Sequence, residues 1–121
     1  MLCVLVDDDP AFRLFARRLV SMLCPALAIV DFFSGFEALG FLAKNHADLI
    51  ITDFNMPLVN GLLLTSMVRK KDASVPIVVM SGDVAISHEA IARGATAFVP
   101  KQELSSELRP TLERIGISPA S

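Results

Sequence analysis

Five residues of this chain have side chains suited to one kind of chemistry: Asp7, Asp8, Asp53, Ser81 and Lys101. The three carboxylates are hard oxygen ligands of the type that hold Mg²⁺. Against the one ammonium of Lys101 they leave excess negative charge, which a shared cleft tolerates badly without a divalent cation. A bound Mg²⁺ keeps coordination positions for water and phosphate oxygens, and neutralises charge on a transferring phosphoryl group. Lys101 could assist that neutralisation, Ser81 could hydrogen-bond a phosphoryl oxygen, and one carboxylate could attack as a nucleophile to form an acyl phosphate. Each residue alone has a plainer reading. A strand-end aspartate often caps a helix, the role expected for Asp9; a serine after a strand is often a turn residue; a lysine is often solvated. The chemical reading therefore depends on a fold that brings all five together.

The intervening sequence describes such a fold. Leu2–Val6 is a continuous apolar run, as in a strand buried on both faces. Asp9-Pro10 then supplies an N-cap and a proline at the first helical position. Phe12, Phe15, Ala16, Leu19, Val20 and Leu23 recur at helical spacing, with Arg13, Arg17 and Arg18 off that stripe as a solvated face, and Pro25 ends the helix. A second strand is expected over 28–33, where Asp31 suits a sheet edge. Ser34 and Glu37 form a capping box opening a helix to about residue 44. A third strand is expected over 48–53, and Asn60-Gly61 opens a helix to about residue 71. A fourth strand over 75–80, a short helix over 86–93, a fifth strand over 96–99 and a last helix ending near Ile115 complete the pattern.

Apolar strands alternating with amphipathic helices predict an α/β domain: five parallel strands with helices on both faces. Ligands of such sheets bind at the carboxyl ends of the strands. Asp7 and Asp8 follow the first strand, Asp53 ends the third, Ser81 ends the fourth and Lys101 follows the fifth. All five are thus expected at one edge.

Composition narrows the class. A chain of 121 residues suits a single domain, and 53% hydrophobic content excludes intrinsic disorder. A net charge of -2 argues against nucleic-acid binding by bulk charge. The apolar stretch over 19–30 is interrupted by Pro25 and is too short to span a membrane. Consecutive aspartates at 7–9 stand where a secretory signal would be apolar. Cys3 and Cys24 lack metal-ligand spacing, His46 and His88 lack companions, and a reduced, cytoplasmic setting is expected.

The ordered segments Val4-Leu5-Val6-Asp7-Asp8-Asp9-Pro10, Leu49-Ile50-Ile51-Thr52-Asp53-Phe54-Asn55-Met56-Pro57 with Asn60-Gly61, Val78-Val79-Met80-Ser81-Gly82, and Gly94-Ala95-Thr96-Ala97-Phe98-Val99-Pro100-Lys101 carry a resemblance. Together they resemble the receiver domain of two-component response regulators. The resemblance implies a CheY-like, flavodoxin-like doubly wound sheet of order 2-1-3-4-5 with five helices, occupying 1–116 and followed by a tail over 117–121, frayed from about Gly116. It implies Asp53 as phosphoacceptor, with Asp7, Asp8, Asp53 and the Asn55 backbone carbonyl as Mg²⁺ ligands and Lys101 on the phosphoryl group. Ser81 and Phe98 would be the switch pair; Asn55, Gly82 and Asp83 would tune the acyl-phosphate lifetime. The implied partners are a histidine kinase or histidine phosphotransfer domain as donor, and a downstream protein or tethered output domain. Neither membrane nor direct nucleic-acid binding is expected.

The chain departs from the family pattern in three places. Gln102 stands where a proline usually follows the lysine, so a trans Lys101–Gln102 bond is expected. The segment from Ser81 to Lys101 is short, which predicts a short or irregular fourth helix. Pro110 falls within the last helix, tolerable if Ser106 is its N-cap and disruptive if the helix starts near Glu103. Two other classes stay open. Asp7-Asp8-Asp9 also reads as the nucleophile motif of a small haloacid-dehalogenase-like phosphatase. A receiver-like interaction module without phosphorylation is the other. A stand-alone regulator and a receiver from a longer regulator or hybrid kinase fit the sequence equally.

Overall fold

The computed structural model describes residues 1–119. Its strands are β1 (Leu2–Val6), β2 (Ala28–Phe32), β3 (Leu49–Asp53), β4 (Ile77–Ser81) and β5 (Ala97–Pro100). Its helices are α1 (Pro10–Leu23), α2 (Gly35–Leu42), α3 (Gly61–Arg69), α4 (Ser87–Ala92) and α5 (Leu104–Arg114). Short 3₁₀ turns at Val84–Ile86 and Lys101–Glu103 precede α4 and α5. All strand pairs are parallel, in the order β2-β1-β3-β4-β5. This is the expected doubly wound sheet, with Asp31 on an edge strand.

Alternation along each strand builds two cores. Cys3, Leu5, Leu49, Ile51, Val78 and Met80 face α1 and α5, packing with Leu19, Leu108 and Leu112. Val4, Val6, Ile50, Ile77 and Val79 face the other layer, packing with Ala38, Leu64, Val68 and Ala90. The central strands β3 and β4 are buried throughout. Their carboxyl ends are therefore anchored from both sides, and register sets Asp53 beside Met80 and Ser81 beside Pro100.

The local caps are those expected. Asp9 accepts from the Ala11 and Phe12 backbone N–H groups, Ser34 from Glu37 and Asn60 from Leu63. Several boundaries differ. The β4 strand starts at Ile77, after Pro76, which has no N–H for a ladder, and it runs through Ser81. The α4 helix is a short segment led by a 3₁₀ turn, as the short Ser81–Lys101 spacing predicts. Phe15 leaves the apolar stripe: it is 43% exposed and meets Phe12 edge-on.

The α5 helix starts at Leu104 without a side-chain cap, so Pro110 lies well inside it. Ser106 is not the N-cap; its hydroxyl donates to the Glu103 carbonyl. Past α5, Gly116 takes φ +91°. The Gly116 N–H bonds Glu113, the Ile117 N–H bonds Leu112, and Ile117 is buried. This left-handed C-terminal cap orders Gly116 and returns Ile117 to the core, against the expected fraying at Gly116. Residues 120 and 121 of the expected tail lie outside the described residues.

Candidate functional site

The aspartates at the carboxyl edge come from two adjacent strands. Asp7 leaves β1 with its N–H donating to Phe32 and its carbonyl accepting from Arg13 Nη1 at 2.8 Å. Asp7 Oδ1 accepts from the Asp9 N–H at 2.9 Å. Asp53 ends β3, and a glycine is required behind it. A Cβ on Gly61 would collide with the Asp53 carbonyl oxygen and stand 2.9 Å from Phe54 Cα. One carboxylate oxygen from each of Asp7, Asp8 and Asp53 lies within 4.8 Å of the others.

Asp7 is fully buried, and its Oδ2 has no well-directed hydrogen bond, although Lys101 Nζ lies 2.9 Å away. The same ammonium is 3.3 Å from Asp53 Oδ1 and 4.3 Å from the centroid of the Phe12 ring. A buried carboxylate oxygen aimed into a cluster of three acids fits a divalent cation. Asp7, Asp8 and Asp53 are the residues that would hold it.

Burial, and then the Asp7 charge, push the Asp53 carboxyl up to about 6; Lys101 and the Asn55 backbone N–H oppose this less strongly. Burial works against the charge on Lys101, but Asp7 and Asp53 outweigh it and hold the ammonium above its ordinary range.

The edge opens as a cleft of about 480 Å³ lined by Asp8, Asp53, Asn55, Ser81, Gly82, Asp83 and Lys101, among others. The structure thus gathers the sequence-selected residues here, with Asp7 beneath the cleft and Phe98 outside its lining. Phe98 is half-buried against the α2, α3 and α4 core. Ser81 is buried and its Oγ accepts from the Asp83 N–H at 3.0 Å, which leaves its own O–H for another acceptor. Asp83 in turn caps the following 3₁₀ turn through Ala85. A Cβ on Gly82 would meet nothing within 4 Å. A smaller cavity of about 200 Å³ between α2 and α3 is lined chiefly by aliphatic side chains and holds none of these groups.

Two residues here were not selected from the sequence. Phe12 read as core, and Arg13 as part of a solvated face. Arg13 instead bridges the Asp7 carbonyl and Asp31 (Nε–Oδ1 3.8 Å), and Arg17 pairs with Asp31 at 2.7 Å. The available signal was the edge-strand Asp31 opposite two arginines one helical turn apart. The Lys101–Gln102 bond is trans, as expected, since the described residues contain no cis peptide.

The family model for the response regulator receiver domain matches residues 3–113. The chain belongs to that family. The receiver is 30% identical over 117 residues to response regulator MprA of Mycobacterium sp. strain KMS, covering 92% of this chain and 50% of MprA. It is 35% identical over 74 residues to sensor protein EvgS of Escherichia coli K12, covering 61% of this chain and 6% of EvgS. The chain spans half or less of these relatives' lengths. Its fold matches that of chemotaxis response regulator CheY4 of Vibrio cholerae with a TM-score of 0.84 and 26% identity, covering 94% of this chain and 97% of that one. Receiver domains of two-component systems are phosphoacceptor signalling domains; they bind Mg²⁺ at an acidic pocket and interact with histidine kinases and output domains.

Proposed function

We propose that this receiver takes a phosphoryl group from a partner's phosphohistidine onto Asp53. The observation that carries this reading is that Asp53 lines the cleft with its carboxylate clustered with those of Asp7 and Asp8 and 3.3 Å from the Lys101 ammonium. A carboxylate oxygen of Asp53 attacks phosphorus, the P–N bond breaks, and its electron pair stays on the donor imidazole nitrogen. Lys101 balances charge on the phosphoryl oxygens. Asp7, Asp8, Asp53 and the Asn55 carbonyl would hold Mg²⁺, which when bound supplies further neutralisation of those oxygens.

Ser81 and Phe98 are proposed as the switch. The Ser81 O–H turns toward the phosphoryl group, its bond from Asp83 is released, and the 3₁₀ turn that Asp83 caps is freed to move with Phe98. Asn55, Gly82 and Asp83 line the route of an attacking water and would set the acyl-phosphate lifetime. The receiver occupies 1–116 and the tail 117–121 begins with Ile117 docked on the core. A histidine kinase or phosphotransfer domain is the proposed donor, and a downstream or tethered output domain the recipient of the signal, in the cytoplasm. The acidic cleft disfavours nucleic acid as a direct ligand, and no described helix is long and apolar enough to cross a membrane. Both aspartates are buried, but Asp53 lines the cleft and Asp7 does not, which supports Asp53 over Asp7 as nucleophile.

Intact mass after incubation with Mg²⁺ and acetyl phosphate tests the reading. One added phosphoryl group, absent in Asp53→Asn, is the expected result. Modification that persists in Asp53→Asn and vanishes in Asp7→Asn would assign the nucleophile to Asp7 instead.

A further inference from the structure

Lys101 is a long, flexible side chain directly after the end of β5. It opens a 3₁₀ turn that has no side-chain cap, and its side chain is 19% exposed. Nothing in the local backbone dictates where its ammonium points. Three groups do: Asp7 Oδ2 at 2.9 Å, Asp53 Oδ1 at 3.3 Å, and the face of the Phe12 ring with its centroid at 4.3 Å. An ammonium has three N–H directions. Two carboxylates lie within ion-pair distance of it, and the ring stands against it as a third neighbour.

The ring is itself well fixed. Phe12 lies in the first turn of α1, where its N–H is drawn to the Asp9 carboxylate at 3.4 Å. It is half-buried against the α1 and α5 core and meets Phe15 edge-on, with centroids 5.6 Å apart. An aromatic face attracts a cation through its quadrupole, yet offers neither an acceptor that competes with phosphate nor a route to water.

We propose that Phe12 is a positioning residue for Lys101: its ring confines the ammonium to the gap between Asp7 and Asp53, where the phosphoryl group arrives. This rests on the Asp53 reading above. When Asp53 becomes an acyl phosphate, its own oxygen ceases to be a full anion, and the charge that Lys101 must meet lies farther out on the phosphoryl oxygens. Without the ring, the lysine would be left between buried Asp7 and solvent. With it, the ammonium stays on the path between the two.

The test uses beryllofluoride with Mg²⁺ as the phosphoryl mimic, its affinity measured by calorimetry on the full chain. Phe12→Leu keeps an apolar side chain and removes the π face. It should weaken beryllofluoride by about threefold to tenfold, the worth of a partly desolvated cation–ring contact. Phe12→Tyr should restore the affinity. In a Lys101→Met background, Phe12→Leu should have no further effect. An equal loss in that background, or no loss in the wild-type background, would overturn the proposal. Ring-current displacement of the Lys101 side-chain resonances, lost in Phe12→Leu, reads the contact without any ligand, and its absence from the wild type would also overturn it. A wild-type chain that shows the displacement but binds no beryllofluoride would instead sink the Asp53 reading.

Discussion

The shortest contact of the Lys101 ammonium, 2.9 Å, is with Asp7 rather than with Asp53, the proposed phosphoacceptor. The lysine therefore compensates the most deeply buried charge of the site before any ligand arrives. Removing it strands the Asp7 carboxylate, and breaking a buried pair costs more than the pair is worth. Because Lys101 itself is partly exposed, Lys101→Met should destabilise the chain by about 1–3 kcal/mol in chelator. Urea unfolding with and without Mg²⁺ checks this. The stabilisation given by Mg²⁺ should be larger in Lys101→Met than in the wild type, since the cation then answers a charge that has no other partner.

Asp53 gives the site a pH dependence of definite sign. Its carboxyl is raised from 3.8 to about 6 by burial and by Asp7, so the folded state holds the proton more tightly than the unfolded chain. Stability is then lost as pH rises from 3.8 to about 6, and the loss is complete above that range. In chelator near neutral pH, Asp53→Asn should be more stable than wild type by on the order of 2 kcal/mol, with the difference disappearing under more acidic conditions. Thermal melts across pH measure it. Phosphorylation should show the converse: only the ionised carboxylate attacks, so the rate falls as pH drops through about 6, and added Mg²⁺ should move that fall to lower pH.

Arg13 grips the Asp7 carbonyl from α1 while reaching Asp31 on the sheet edge. Arg13→Ala should loosen the backbone that aims Asp7 and Asp8, lowering Mg²⁺ affinity several-fold as removal of an outer positioning group does. Calorimetric titration with Mg²⁺ would show it. Asp31→Asn, which weakens the outer end of the bridge but keeps the Asp7 contact, should have a smaller effect, and an equal one would place the cause elsewhere.

Gly61 and Gly82 flank the same site with opposite tolerance. A Cβ at Gly61 has no room against the Asp53 carbonyl and Phe54, and the obstacle is backbone rather than a side chain that could swing away. Gly61→Ala should cost about 2–4 kcal/mol and displace Asp53. Gly82→Ala meets open space and should change stability by less than about 1 kcal/mol. Denaturant midpoints of the two variants compare directly.

The sequence by itself determined the elements and which acidic, hydroxyl and ammonium groups share one edge of the sheet. Apolar runs marked β1, β3 and β4, and Asp9, Ser34 and Asn60 marked the helix starts because a cap is a bond within one turn. Alternation of strand and helix then placed Asp7, Asp8, Asp53, Ser81 and Lys101 on one edge, since parallel strands share a direction. Tertiary structure alone decided how these side chains are paired. That Lys101 prefers Asp7, that the Phe12 ring stands against its ammonium, and that Arg13 reaches Asp31 on the sheet edge are contacts between segments far apart in sequence. It also decided that Phe15 stays exposed and that α5 starts at Leu104 despite Pro110. Periodicity and capping act over one turn of chain, while the partner of a charge or a ring is set by sheet register and by which helix packs over which strand end.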